Sequence, residues 1–335
     1  MPYLGNIESA QEPVKLPVVF TRPEVIRHLK PLIKWIVLGA TLFFLGSVLR
    51  HNWQQVLQIR LTSASWGLLA IALGVTLLAH CCAGWVWNWI LADFGQSVSS
   101  GWAISTYLKT NVAKYLPGNV WHYYGRITSA HGVGVPLEVA TVSVLLEPIL
   151  MLAAALLLTL VSGQQILAQF GIVALLLQAI GLVAILLILQ PKALNPAIGW
   201  LKRAKQKATG DSSVHSKTEW VSSYPLKVLL GEILFLLLRA MGFVLTMAAI
   251  ASITLTQLPI LLSGFSLAWL MGLVLPGAPG GLGVFEAVAV ALLGPVFSPA
   301  IILSTAALYR LISVLAEAIG SGLAVLAHRL AGQSV

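Results

Sequence analysis

The chain has 335 residues, of which 58% are hydrophobic and only 9% are charged, and its mean hydropathy is +0.89. Because a soluble domain has about 25% charged residues, this composition excludes a soluble globular protein and predicts an all-α integral membrane protein. The net charge of +9 could suggest a nucleic-acid partner. However, its lysines and arginines collect beside apolar runs, as they do in cytoplasm-facing segments of membrane proteins. We therefore expect membrane lipids as partners, and no nucleic acid.

Several apolar runs reach the roughly 20 residues that a helix needs to cross a bilayer. The six clearest lie at Pro31–Leu49, Trp66–Ala92, Pro136–Leu160, Ile166–Leu189, Leu226–Ala251 and Pro299–Ala327. Residues 1–30 and the polar loop 191–224 are rich in lysine and arginine, so we predict that both are cytoplasmic. We expect one membrane domain over residues 31–329, followed by a short tail, 330–335. We expect the protein in the cell membrane, with both termini in the cytoplasm.

A polar segment between the second and third runs, Asp93–Val135, contains the tripeptide Leu116-Pro117-Gly118. Proline removes a backbone donor and glycine weakens a helix, so the chain is predicted to leave helical geometry there. The segment is too polar for a simple span. We interpret it as a re-entrant hairpin that enters the membrane from the cytoplasm.

A second interruption follows Leu275 and divides the apolar segment Pro259–Ser298. Its helix-breaking residues are Pro276, Gly277, Pro279, Gly280, Gly281 and Gly283. Irregular backbone at membrane depth is tolerated only where protein or a water-filled cavity satisfies its polar groups. In transporters, such interrupted helices mark the substrate site. We predict a second re-entrant hairpin here.

Superposing the two Leu-Pro-Gly motifs, at an offset of 159 residues, predicts an internal repeat over about 66–160 and 225–327. The offset places His80 on Arg239. With a four-residue gap after the motif, Glu147 falls on Arg310. The first unit is predicted to begin outside and the second inside, so the two hairpins would enter from opposite faces, as in several secondary transporters. We expect Glu147 and Arg310 to face each other at the two-fold centre.

The interruptions also carry a family resemblance. The string Lys114-Tyr115-Leu116-Pro117-Gly118, followed by Gly125-Arg126, resembles the first signature of the lysylphosphatidylglycerol synthase transmembrane, flippase-like family. The string from Pro279 to Glu286 resembles its second signature, and the likeness extends over roughly Lys34 to Arg329. The resemblance implies an integral membrane protein that moves lipids between leaflets. The best-known members carry a cytosolic aminoacyl-transferase domain after the membrane part, and we expect this chain to lack it.

Charged side chains inside the apolar runs are candidates for function, because each costs about 2.5–3.5 kcal/mol by insertion scales. They are Glu147, Glu232, Arg239, Arg310 and Glu317. We predict that a lipid headgroup binds at Lys109, Lys114, Arg126, Glu147, Glu286 and Arg310, since lysine and arginine suit a phosphate. Alternatives remain: the hairpin cations could lie at the interface and set topology, the charges within spans could form structural ion pairs, and Glu286 could cap a half-helix.

These features predict binding and translocation of a phospholipid or lipid-linked headgroup, with anionic phospholipid as the expected ligand. The alternative is a membrane-bound transferase, or an accessory or structural subunit of a lipid-modifying or glycosyltransferase system. Phosphate-loop, zinc-protease and serine-hydrolase motifs do not occur in the sequence. We therefore expect no enzymatic activity, no cofactor and no metal. A homo-oligomer or a lipid-modifying enzyme as partner is compatible with this expectation.

Overall fold

A computed structural model describes residues 62–116, 120–160, 163–196, 199, 224–274 and 283–332, without the side chains of 163–170. Outside the described residues lie the N-terminal segment 1–30, the predicted span Pro31–Leu49, most of the loop 191–224 and the end of the tail. The breaking residues of both hairpins lie outside them as well: Pro117, Gly118, Pro276, Gly277, Pro279, Gly280 and Gly281.

The described chain is helical and contains no strand within these ranges. Its helices are α1 (Ser63–Asp93), α2 (Ser100–Asn111), α3 (Trp121–Gly132), α4 (Leu137–Thr159), α5 (Gly163–Ile188), α6 (Leu226–Ala248), α7 (Leu258–Val274), α8 (Val284–Leu293) and α9 (Pro299–Gly332). Six stretches are long and apolar enough to cross a membrane, which confirms the all-α integral membrane class. Five of them match predicted spans. The sixth, Leu255–Val274, falls mostly in the segment predicted as the second hairpin. The first arm of the second hairpin is thus longer than the first arm of the first hairpin.

Local capping explains where several helices begin. The Thr62 hydroxyl accepts from the backbone N–H of Ser65 at the start of α1, and Ser99 caps α2 in the same way. These side chains satisfy backbone donors that have no partner inside the helix. At the start of α8, Gly283 has a φ of +84°, which glycine adopts without steric cost. Its N–H donates to the Glu286 carboxylate over 2.8 Å, so the predicted capping role of Glu286 is confirmed.

The first helices of the two repeats, α1 and α6, pack against each other in antiparallel orientation. Late in α6, a Cβ on Gly242 would lie 2.5 Å from Thr76 Oγ1, and early in α6 a Cβ on Gly231 would lie 2.5 Å from Val86 Cγ2. Later residues of α6 therefore meet earlier residues of α1. Small residues permit such close crossings in membranes, and a side chain at either glycine would force the helices apart.

His80 and Arg239 meet between these two contacts, with Nε2 and Nη1 3.1 Å apart. They are the residues that the 159-residue offset made equivalent. Equivalent residues touch only where the two-fold axis passes between them, so this contact places the axis at the α1–α6 crossing. The antiparallel packing agrees with the predicted inverted repeat.

Each hairpin folds back on itself around its interruption. In the second hairpin, a Cβ on Gly264, early in α7, would lie 2.6 Å from the side chain of Leu293 at the end of α8. The two described arms are thus antiparallel. In the first hairpin, a Cβ on Gly125 of α3 would likewise lie too close to the side chain of Thr110, near the end of α2.

The core lies where α1, α4, α6 and α9 meet the two hairpins, and its largest fully buried side chains include Trp87, Phe243 and Phe265. Helix α5 is different. Only 6% of its apolar stretch is buried, against 67% for α4, and Gln178 joins it to α4 by donating to the Leu156 carbonyl over 3.2 Å. Among the described residues, α5 is therefore the most peripheral of the long apolar helices.

Candidate functional site at the repeat interface

A cavity of about 200 Å³ lies between the two repeats, and side chains of α1 to α4 and α6 to α9 line it. One part of its wall is apolar and aromatic: Met151, Phe235, Phe265, Trp269, Leu273 and Phe285. The other part carries charge: His80, Lys114, Arg126, Glu147, Arg239, Arg310 and Glu317. A cavity with both kinds of wall can accept an ionic headgroup and the apolar chain next to it.

Arg126 and Glu147 form the most buried ion pair of the cavity. Arg126 on α3 and Glu147 on α4 are in direct contact, with side chains 3% and 2% exposed. The Tyr107 hydroxyl donates to the second carboxylate oxygen over 2.8 Å. The guanidinium also lies over the rings of Trp87, Tyr107 and Tyr123, 4.5–5.9 Å from their centroids, where cation–π attraction adds to the ion pair.

Glu317 on α9 joins the first hairpin to the last span. The Lys114 ammonium lies 2.5 Å from Glu317 Oε1, and His80 Nε2 lies 3.3 Å from the same oxygen. Lys114 directly precedes the first interruption, in the short 3₁₀ turn Val112–Tyr115. Its contact with Glu317 therefore connects a hairpin tip of one repeat to a helix of the other.

Arg310 on α9 donates to Glu286 of α8 over 2.6 Å. This pair is more exposed than the first, with side chains 12% and 18% accessible. Glu286 thus holds Arg310 with one oxygen and caps α8 with the other. The same carboxylate fixes both the start of the half-helix and its contact with the following span.

Arg239 on α6 is the one cation lining the cavity that has no carboxylate within 4 Å among the described residues. Its side-chain contacts are His80 Nε2 at 3.1 Å and the Tyr309 ring, whose centroid is 5.4 Å from the guanidinium carbon. The Tyr309 hydroxyl donates to the Arg239 carbonyl over 2.8 Å, which keeps that ring in place.

His122 on α3 also lines the cavity but adds no charge. Burial, together with the nearby cations Arg126 and Lys114, lowers the pKa of His122 to about 3. The ring is therefore neutral at physiological pH. Within the described ranges, no group of three histidine, cysteine or acidic side chains could hold a metal ion.

The structure brings five of the six predicted headgroup residues to this region. Lys114, Arg126, Glu147 and Arg310 line the cavity, and Glu286 contacts Arg310. Lys109 is half-buried but does not line the cavity. Arg126 is buried in the protein rather than at a lipid interface. Whether any of these residues binds a headgroup stays a prediction.

The predicted direct pair between Glu147 and Arg310 is wrong. Glu147 contacts Arg126, and Arg310 contacts Glu286, so each charge is neutralised by the hairpin of its own repeat. The physical reason is that only residues next to a two-fold axis meet their equivalents. Glu147 and Arg310 lie off that axis and share the cavity without touching.

Three of the seven residues that form the charged part of the cavity wall were absent from the predicted headgroup set: His80, Arg239 and Glu317. Arg239 and Glu317 carried a signal, since both are charges inside apolar helices. His80 had only its alignment with Arg239. Glu232 is a further buried charge on α6, and neither of its oxygens has a hydrogen-bond partner among the described residues; it does not line the cavity.

Comparison with known proteins now adds to this geometry. A family model described as the lysylphosphatidylglycerol synthase TM region matches residues 32–320. The chain belongs to this family. Its membership confirms the resemblance drawn from the two interrupted motifs and marks it as a membrane protein of the lipid-modification or flippase type. No curated protein matches the chain.

Proposed function

We propose that this protein binds the phosphate-bearing headgroup of an anionic membrane lipid in the cavity between its repeats and moves it between leaflets. We propose transport rather than catalysis. On this proposal the termini and the loop 191–224 are cytoplasmic, the protein resides in the cell membrane, and the first hairpin opens toward the cytoplasm.

The charge balance of the cavity carries this proposal. Lys114, Arg126 and Arg310 each pair with a carboxylate, whereas Arg239 has no such partner in the described part of the chain. One positive charge is thus left over beside an aromatic and apolar wall. A phosphodiester bears one negative charge, so a phospholipid headgroup would neutralise the site while its chains contact Phe235, Trp269 and their neighbours.

The position of the cavity supports movement as well as binding. Transporters with inverted repeats hold their substrate at the repeat interface and open alternately to either side. Here the wall is built from both hairpins and from helices of both repeats. A rearrangement of one hairpin would open the same cavity toward one leaflet, and the equivalent rearrangement of the other hairpin would open it toward the opposite leaflet.

The decisive experiment has two parts. The protein is purified in mild detergent and its retained lipids are identified by mass spectrometry. It is then reconstituted into vesicles with a fluorescent analogue of the enriched lipid, and access of dithionite to that analogue reports movement between leaflets. We expect an anionic phospholipid to be enriched and to cross faster than in protein-free vesicles.

A matched pair of variants distinguishes the effect of a cation in the cavity from the effect of basic charge elsewhere on the protein. Lys114→Gln removes a cation that lines the cavity, and Lys227→Gln removes an exposed cation at the start of α6. We expect translocation to fall in the first and to persist in the second. Equal translocation with and without protein would refute transport, and an equal effect of both substitutions would refute the cavity as its route.

A further inference from the structure

We infer that Arg239 is the anchor for the lipid phosphate and holds it on the two-fold axis whichever way the cavity opens. This inference rests on the proposed function. It goes beyond that function by naming one residue, outside the predicted headgroup set, and the chemical group that this residue binds.

The charge of Arg239 is not neutralised by the described part of the protein. The residue is only 8% exposed, and among the described residues its Nε has no hydrogen-bond partner and no carboxylate lies within 4 Å. Glu232 is two helical turns away on the same helix, about 10 Å along its axis, and is too distant to pair. A buried unpaired guanidinium is costly in a membrane protein, and a phosphate would offset that cost.

The contact with His80 is one that a ligand can replace. His80 Nε2 lies 3.1 Å from Arg239 Nη1 and 3.3 Å from Glu317 Oε1. A guanidinium only donates and an ionised carboxylate only accepts, so one ring nitrogen cannot bond to both. If a phosphate accepts the guanidinium protons, the His80 N–H becomes free to donate to Glu317. Binding of the phosphate thus relieves a conflict and leaves both neighbours with a partner.

The geometry of the site suits a phosphate. Arginine presents a planar fork of donors that can bind two phosphate oxygens at once. The ring of Tyr309 lies beside the guanidinium and is held by its hydrogen bond to the Arg239 carbonyl. One edge of the fork contacts His80, while Nε has no hydrogen-bond partner within the described ranges.

The axis makes Arg239 more suitable than the other cations of the cavity. Arg126 and Arg310 belong to hairpin contacts that must rearrange when one side opens and the other closes. A residue beside the axis, in contrast, keeps its place while the two repeats exchange conformations. The same side chain can therefore hold the phosphate in both states, as alternating access around a fixed site requires.

The test measures binding of three probes to the full chain in detergent: dihexanoyl phosphatidylglycerol, inorganic phosphate and dihexanoylglycerol, which lacks the phosphate. The variants are Arg239→Gln, Arg239→Met and the control Lys227→Gln. Methionine is included because an apolar side chain in place of a buried charge is often neutral or stabilising, so this variant is expected to fold. Thermal unfolding of each variant verifies that it does.

We expect both Arg239 variants to bind dihexanoyl phosphatidylglycerol about ten- to one-hundred-fold more weakly than the wild type. This is the change in affinity that the loss of a hydrogen bond to a charged group produces. Dihexanoylglycerol should bind all four proteins alike, and Lys227→Gln should match the wild type. Inorganic phosphate that binds as tightly as the lipid would assign the anchor to a free anion. Unchanged lipid affinity in a folded Arg239 variant would overturn the anchor and leave the proposed function standing. A wild type that does not prefer the phospholipid over dihexanoylglycerol would overturn both.

Discussion

The two repeats attach their hairpins to the following span with the same kind of contact but with opposite signs. In the first, Arg126 of the hairpin contacts Glu147 of α4. In the second, Glu286 of the hairpin contacts Arg310 of α9. The two contacts join corresponding helices, but the residues that form them are not aligned with each other. Both repeats therefore attach the hairpin to the following span, with the cation and the carboxylate exchanged.

The surroundings of the two contacts differ more than the contacts themselves. The first is almost fully buried, lies among three aromatic rings and receives a hydrogen bond from Tyr107. At the position that the alignment equates with Tyr107, the second repeat has Ser266, whose hydroxyl donates to the Leu262 carbonyl of its own helix. The second contact is also more exposed. We predict from this difference that the first hairpin is attached more firmly than the second.

The largest expected effect concerns the faces from which the hairpins enter. Single cysteines at Asn119 and Ala278, in a background that lacks Cys81 and Cys82, should react with an impermeant thiol reagent from opposite sides of the membrane. Asn119 should label from the cytoplasm and Ala278 from outside. The measurement is labelling in right-side-out and inverted vesicles. Both positions reacting from one side would refute the inverted repeat and remove the basis for comparing the two attachments.

The buried attachment should be the most sensitive to substitution. Glu147→Gln leaves the Arg126 guanidinium buried without a carboxylate partner, and breaking such a pair typically costs about 3–5 kcal/mol. We expect the free energy of unfolding in detergent to fall by that amount, as measured by denaturant titration. The double variant Glu147→Leu with Arg126→Met should recover much of the loss, because it removes both charges. A loss below about 1 kcal/mol for Glu147→Gln would contradict a firm attachment.

Sequence alone predicted much of the architecture, for reasons that particular residues make clear. Long apolar runs identified five of the described spans, because a helix that crosses a bilayer must be apolar over most of its length. A shared tripeptide set the offset that aligned His80 with Arg239, and these residues meet. Helix packing was harder to foresee. The close approach of Gly231 to α1 depends on which face α6 turns inward, which composition does not reveal.

The candidate site was predicted less completely than the fold. Glu147 and Arg310 both line the cavity, but the prediction that they pair was wrong because alignment identifies equivalent positions and not contacts. The cations of the first hairpin, Lys114 and Arg126, were chosen because they flank its Leu-Pro-Gly interruption. Arg239 was set aside although it lies in the same cavity. What distinguishes it is that no carboxylate of the described residues lies within 4 Å, a property of three-dimensional packing that the sequence does not contain.

A smaller effect should separate the aromatic support from the ion pair itself. Tyr107→Phe removes the hydroxyl that donates to Glu147 but keeps the ring over Arg126. A hydrogen bond to a charged group contributes about 1.5–3 kcal/mol, so we expect a loss of that order in the free energy of unfolding. Ser266→Ala, at the aligned position, serves as the control and should change it by much less, since its hydroxyl bonds only within α7. Equal losses at both positions would show that the difference between the repeats does not lie in this support.

The smallest effect should come from the second attachment. Arg310→Gln removes its cation, yet the pair is partly exposed, and exposed ion pairs contribute only about 0.2–1 kcal/mol. We expect a loss of about 1 kcal/mol in the free energy of unfolding. Glu286→Gln should cost no more, because glutamine can retain the capping contact with the Gly283 N–H.

The informative readout is accessibility: a cysteine at Ala278 should react faster with the thiol reagent in Arg310→Gln than in the unaltered background, since release of α8 from α9 exposes the interruption. The matched measurement places a cysteine at Asn119 and compares its labelling rate with and without the substitution Arg126→Met. In that variant the aromatic rings should still hold α3, so the labelling rate should change less. If the Arg126 substitution accelerates labelling more than the Arg310 substitution does, the first hairpin is the one that releases, and the order of firmness proposed for the two attachments is reversed.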